Sequence, residues 1–420
     1  MKLSLLIPSL GFPFLAAVAC GQVQESPAAT PQPTSTSTAV TPPPAPTTEP
    51  TTPPVVIPPG KIAFPQAQNS GGTIIRNPKV VPIVFQGDPN AAKIAQFHAK
   101  LAGSKYWTDV AAEYGIGAIT PIEMVTIQET PPQTTTDDEI QAWLQNKLTN
   151  ESVLGAPDSN TMYAIYYPQS TTILLDGEKS CETFGGYHNE SVAGGVPIAY
   201  GVMPFCGGGG GASALDNLTI TASHEVFEWA TDPFPFSDPA YQSMQKDFRP
   251  WEWAFLGELG DLCTYLDWGS HLRPTELGSR VQRMWSNQAA AAGHNPCAPR
   301  PEEPYFVGVP MVKDTVSVQG IQTKGVALKV GETVELPIQF HSDDPNEPAW
   351  DIQVIDSGQL TGQSFSNGSI QFDLTKDSGK HGDVTTVKIT SKSADMSLFM
   401  VVATRGAESH MWPSVVVAKK

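Results

Sequence analysis

The sequence is short of positive charge. Its 25 lysines and arginines face 42 aspartates and glutamates, a formal net charge of −17. That balance argues against a nucleic-acid partner, which requires a basic footprint. Only five cysteines occur, and none forms a C-x-x-C pair, which disfavours a cysteine-built metal site. The Gly-rich run from Cys206 to Gly211 lacks the Lys-Ser/Thr ending of a phosphate loop, so it reads as a flexible connector. The apolar run at the start, Leu3 to Val18, contains Pro8 and Pro13 and is too short and too interrupted for a good membrane span.

That start instead reads as a processing signal. Lys2 precedes the apolar run, which ends in Ala17-Val18-Ala19-Cys20-Gly21. This ending resembles a bacterial lipobox with Cys20 as the acylated residue, although Ala17-Val18-Ala19 also fits an ordinary A-x-A cleavage site. Cys20 has no other use in an N-terminal tail, which favours residues 1–20 as a lipoprotein-type signal peptide. Residues 21–60 are mostly Pro, Thr, Ser and Ala, with only Glu25 and Glu49 charged. Such a tract cannot bury enough apolar surface to offset its ordering entropy, so it reads as a disordered, extended tether. The expectation is an exported chain at the cell envelope or outside it, held to the membrane through a lipid anchor only.

The folded part is expected to begin at residue 61, with a first domain over 61–303. Val80–Phe85 is a short apolar run between Asn77-Pro78 and Gly87-Asp88-Pro89, hence a buried strand. From Asn90 to Tyr114 the apolar spacing turns helical, with a break at Gly103. Ile122–Ile127, Met162–Tyr167 and Pro197–Met203 read as strands, and Asp137–Leu148 as an amphipathic helix. Strands interleaved with helices point to a mixed α/β sheet. A further helix begins at Ser213, where Ser213-Ala214-Leu215-Asp216 fits a loose capping box, and stops at Asp232-Pro233. Leu218, Ala222, Val226 and Trp229 form its apolar stripe. Thr221, His224 and Glu228 fall on a different face, expected to look into a cleft.

The sharpest chemical signal lies on this last helix. Ser223–Pro233 reads SHEVFEWATDP, which places His224 and Glu228 at i and i+4 on one face. In HExxH the two histidines grip zinc and the intervening glutamate is the general base. Here the second histidine is Glu228, a harder ligand that can still bind zinc. Glu225 would be the catalytic base. Downstream, GELGDLC (Gly257–Cys263) offers Glu258 and Asp261 as third ligand, one binding the metal and the other supporting it. His188 and His294 are reserve ligands. Tyr265 and His271 are candidates for stabilising an oxyanion, although surface roles suit them as well. The expected cofactor is therefore Zn2+.

Apart from Cys20 there are four cysteines, an even set that implies two disulfides in an exported chain. Three pairings are open. Cys181–Cys206 would close the segment CETFGGYHNES onto the strand before the Gly-rich run. Cys263–Cys297 would pin GELGDLC to the C-terminal end of the domain.

Several stretches occur in one order across residues 70–300: GGTIIRNPKVVPIVFQGD, SKYWTDVAAEYGIG, CETFGGYH…YGVMPFC, HEVFEWATDP, GELGDLC and VQRMWSN. Together they resemble the secreted EXORDIUM-like, phosphate-induced proteins of plants and their bacterial relatives. The resemblance implies a zincin-like domain with His224, Glu225, Glu228, Glu258 and Asp261 as its polar centre. The acyl-anchor start and the added C-terminal module depart from that family, so its plant cell-wall role is not transferred.

From about Tyr305 the composition changes to short alternating β-runs: Val316–Val318, Val326–Val330, Thr333–Phe340, Trp350–Ile355, Ile370–Leu374, Val384–Ile389 and Leu398–Thr404. Seven or eight strands over 304–420 suggest an immunoglobulin-like β-sandwich without a cysteine pair. His341, His381 and His410 within it are expected as surface or turn residues. The fold expected overall is α+β, a zincin-like mixed α/β domain followed by an all-β sandwich. Two function classes follow. One is a membrane-tethered, zinc-dependent, metallopeptidase-like hydrolase acting on a peptide or protein. The other is a catalytically inactive surface binding or adhesion protein with a cell-surface ligand. Nothing in the sequence sets the oligomeric state.

Overall fold

The computed structural model describes residues 62–151, 153–208, 212–265, 274–299, 301–357 and 370–419. The signal peptide, Cys20, the whole tether and His271 lie outside the described residues, as does the side chain of Tyr265.

The chain has mixed α and β content and is dominated by sheets. Its first layer is a mixed sheet. Strand β1 (Lys79–Phe85) is followed by helices α1 (Ala91–Ala102) and α2 (Lys105–Ala111), strand β2 (Val125–Ile127) and helix α3 (Asp137–Thr149). Then come β3 (Thr161–Tyr167), β4 (Tyr187–Ala193) and β5 (Val196–Pro204). The order across the sheet is β2-β1-β3-β5-β4. All neighbours run parallel except β4, the antiparallel edge strand, which places His188 opposite Gly201. The central strands are apolar on both faces because both are covered. Val80, Val84, Met162, Ala164 and Tyr166 join one core, to which α1 contributes Ile94, Phe97 and Leu101. Val81, Ile83, Phe85, Tyr163, Ile165 and Tyr200 join another, closed by Ile140, Leu144 and Leu148 of α3.

Local chemistry sets the helix limits. The α1 helix stops at Gly103, and Ser104 caps α2 by accepting from Trp107 N. At the start of α3, Thr136 and Glu139 form a reciprocal capping box. The expected strand at Ile122–Ile127 is shorter in the structure. Only β2 remains of it, and a separate short strand, Thr120–Pro121, precedes it; both pair with β1. Helix α4 (Ala214–Thr231) opens on the expected box, with Ser213 Oγ accepting from Asp216 N and Asp216 accepting from Ser213 N. After it come α5 (Arg249–Phe255) and α6 (Asp261–Tyr265).

The C-terminal strands are β6 (Phe306–Pro310), β7 (Val326–Leu328), β8 (Thr333–Ser342), β9 (Trp350–Asp356), β10 (Ile370–Leu374), β11 (Val384–Ser391), β12 (Ser397–Arg405) and β13 (Glu408–Ala418). One sheet runs β6-β8-β11-β10. The other runs β7-β13-β12-β9 and ends on the short strand Ser378–Gly379. Apart from the parallel β7–β13 pair, every pairing in these sheets is antiparallel. The inner residues of both sheets share one core with α1, α4 and α5. Trp251 of α5 meets Trp412 of β13 with ring centroids 5.2 Å apart, and Trp285 at 5.5 Å.

His381 is an exposed turn residue as expected, whereas His410 and His341 need correction. His410 is buried, edge-on to the rings of Tyr305 and Phe306, because β13 runs between two other strands. His341 packs on Phe64 and its Nε2 donates to Gly293 O at 2.9 Å, while His381 Nδ1 accepts from Ser342 N. His341 therefore joins the sandwich to the sheet domain rather than facing solvent.

Candidate metal centre

Helix α4 was expected to present one face to a cleft. The structure corrects this, because its residues from Asn217 to Thr231 are buried. The sheet covers one side, and β4 together with GELGDLC covers the side carrying His224. His224 and Glu225 are each 2% exposed.

Four chain segments meet there. On α4, His224 Nε2 lies 2.9 Å from Glu228 Oε2, the i,i+4 contact the spacing predicts. The chain turns at Leu256 and Gly257, both at positive φ, and brings GELGDLC back over the helix. Asp261 Oδ1 then sits 3.6 Å from His224 Nε2, and Asp261 N donates to Glu228 Oε1 at 2.9 Å. A third segment locks this arrangement. Gln282, fully buried, donates from Nε2 to Gly260 O, accepts from Thr264 Oγ1, and donates from its backbone N to Ser223 Oγ. Gln282 lies in VQRMWSN, and sequence reading assigned it no role. Its neighbours Val281 and Arg283 give no local signal that it is buried.

The fourth segment is β4. His188 Nδ1 is 3.5 Å from Glu225 Oε2 and 3.8 Å from Glu228 Oε2, and its Nε2 is 4.0 Å from Glu258 Oε2. The reserve ligand therefore lies within the cluster. His294 does not, because its Nδ1 pairs with Asp343 at 2.9 Å, beside the sandwich. Two three-residue sets have ligand atoms close enough to hold one ion each: His224, Glu228 and Asp261, and His188, Glu228 and Glu258. Both third-ligand candidates are thus present, in different sets.

The donor set suits a cation. Burial, and then the charge of Glu225, holds the Glu228 carboxyl well above the usual range. Burial, and then Glu228, does the same for Glu258 and Asp261. Burial would lower the pKa of His188, but Glu258 and Glu225 outweigh it and push it up to about 9. The neighbouring histidines offset these shifts at Glu258 and Asp261 only in part. Among the described residues, no lysine or arginine makes an ion pair with Glu225, Glu228, Glu258 or Asp261. The backbone is also cut away around the cluster. A Cβ on Gly260 would fall 2.7 Å from Glu228 Oε1, and one on Gly186 2.3 Å from Thr221 Cγ2. The buried Nδ1 of His224 has no hydrogen-bond partner among the described residues.

The two disulfides are Cys181–Cys206 and Cys263–Cys297, as the sequence suggested. The second anchors α6, and with it Asp261, to the strand pair Met284–Trp285 and Cys297–Ala298.

No protein-family profile and no curated protein matches the chain. Among solved structures it is similar to domains 4 and 5 of the S-layer protein SbsC, at 9% identity and a TM-score of 0.18 over 26% of this chain and 54% of that one. The titin M3 domain is matched at 15% identity and a TM-score of 0.17, over 28% of this chain and 97% of that one. A conjugative transposon lipoprotein from Bacteroides eggerthii is matched at 15% identity and a TM-score of 0.18, over 26% of this chain and 95% of that one.

Proposed function

We propose that the protein is an exported, zinc-dependent hydrolase, metallopeptidase-like, tethered to a membrane by a lipid on Cys20. In this reading its mixed domain is a zincin-like fold of EXORDIUM-like type. The observation that carries the reading is the convergence of His224 Nε2, Glu228 Oε2 and Asp261 Oδ1 within 3.6 Å of the imidazole nitrogen. A mixed sheet that leads through a Gly-rich connection into the HExxE helix supports the zincin-like assignment. Two disulfides accord with export. No described helix is long and apolar enough to cross a membrane.

Zinc held by His224, Glu228 and Asp261 would supply Lewis-acid polarisation of a scissile carbonyl. The chain's own residues supply the rest. Glu225, adjacent to His224 but outside that ligand set, is placed to accept a proton at Oε2 and pass it on. His188 Nδ1 lies 3.5 Å from that oxygen, at the edge of the same pocket. Gln282 keeps Gly260 and Asp261 seated over the helix.

A second reading, a binding or adhesion protein without catalysis, is favoured by one observation: the HExxE side chains are almost fully covered. Metal analysis of the purified protein, combined with a peptide-library assay, decides between the two. Glu225→Gln should retain zinc and abolish cleavage, whereas a His224→Ala/Glu228→Ala double variant should lose zinc. Full zinc retention in the double variant would remove the site. Bound zinc with no cleavage by the wild type would leave the binding protein.

A further inference from the structure

The cluster holds more acid than a single-ion site uses. Beyond the His224–Glu228–Asp261 set lie His188 and Glu258, which share Glu228 with it. The shared atom is Glu228 Oε2, 2.9 Å from His224 Nε2 on one side and 3.8 Å from His188 Nδ1 on the other. Its partner Oε1 is already engaged by Asp261 N. One oxygen of one carboxylate therefore faces both groups.

Two observations independent of the acidic cluster bear on the second group. His188 Nε2 lies 3.2 Å from the carbonyl oxygen of Asp232. A carbonyl only accepts, so this contact makes Nε2 an N–H and leaves Nδ1, 3.5 Å from Glu225 Oε2 and 3.8 Å from Glu228 Oε2, as the nitrogen that would take an ion. An imidazole ligand is commonly fixed in this way, its other nitrogen donating to a carbonyl. The second observation is Asp232 itself, completely buried. One of its oxygens accepts from Ala240 N at 2.7 Å, and the other, with Gln242 nearby, makes no close hydrogen bond among the described residues. Its charge acts on both His188 and Glu258.

We infer that the site takes two divalent cations, the second held by His188 and Glu258, with Glu228 bridging both. This rests on the single-ion reading above and extends it. Two-ion sites place both ions against one reacting group and serve hydrolysis of phosphate esters and of peptides. The carboxylates of such a set suit manganese, and one imidazole in each group suits zinc as well.

The test is metal stoichiometry on the purified chain, loaded with Zn2+ alone, desalted and analysed by mass spectrometry, with calorimetric titration of the stripped protein. Wild type is expected to hold two equivalents, and Glu258→Gln and His188→Gln one each. The near-isosteric Glu258→Gln guards against misfolding, which a cooperative melt checks. One equivalent in wild type, unchanged in both variants, would overturn the second site and leave the first intact. Two equivalents in both variants would remove His188 and Glu258 as its ligands. No binding by folded wild type would sink both readings at once.

Discussion

Gly260 lies against Glu228 so closely that a Cβ there would fall 2.7 Å from Oε1, and 2.8 Å from His224 Nδ1. Neither neighbour can move aside freely, because Glu228 is buried and bonded to Asp261 N, and His224 is packed within α4. Gly260→Ala is therefore expected to cost about 1–3 kcal/mol by overpacking and to weaken zinc binding. Chemical denaturation with and without zinc measures both effects. A variant as stable as wild type with unchanged affinity would show that the loop can shift.

The two disulfides should differ in what they protect. Cys263–Cys297 holds the helix on which Asp261 is the first residue, whereas Cys181–Cys206 closes the chain ahead of α4. Replacing either pair by alanine should cost about 2–5 kcal/mol. Only the Cys263/Cys297 replacement should also lower zinc affinity. Equal affinity loss from both replacements would mean that the bridges act on overall stability alone.

Much of the fold was legible because its signals are local. Val80–Phe85 stands out as an apolar run between turn residues, and Ser213 with Asp216 marks the start of α4. Most sandwich strands alternate cleanly enough to be found within a residue or two. Glu408–Ala418 was missed because it opens on polar residues and carries Pro413 in its interior, and proline demotes a strand on sequence grounds. The site was half legible. The i,i+4 pair on α4 follows from helical geometry alone, and GELGDLC was close enough in sequence to suggest a return. His188 depends on β4 pairing at the sheet edge, and Gln282 on a segment folded back from beyond α6. Both are tertiary facts with no local periodicity. The covering of α4's polar face was unreadable for the same reason, since a helical wheel cannot say what packs against it.

Trp251 and Trp412 join the sheet domain to the sandwich through a T-shaped contact inside one continuous core. Both are nearly fully buried. Trp412→Ala should cost about 3–5 kcal/mol. Because the core runs across the junction, wild type should melt in one transition, and the variant should separate the sandwich from the sheet domain. A wild-type thermogram with two resolved transitions would show that the two units are thermodynamically independent.

His98 on α1 carries a pH dependence remote from the metal centre. Its Nε2 is 2.7 Å from the Tyr166 hydroxyl, between α1 and β3, and burial pulls its pKa from 6.5 down to about 3. The unfolded chain binds a proton at this residue below pH 6.5, and the folded chain does so only near pH 3. Stability is therefore complete above pH 6.5 and declines as pH falls from there toward 3. The full loss from a shift of that size is on the order of 5 kcal/mol. His98→Gln keeps a donor for the Tyr166 oxygen but cannot titrate in this range. Urea midpoints measured between pH 7 and pH 4 should fall more steeply for wild type than for His98→Gln, with zinc absent from both. Parallel slopes would mean that His98 gains its proton in the folded state, through an opening of α1 that the packed structure does not contain.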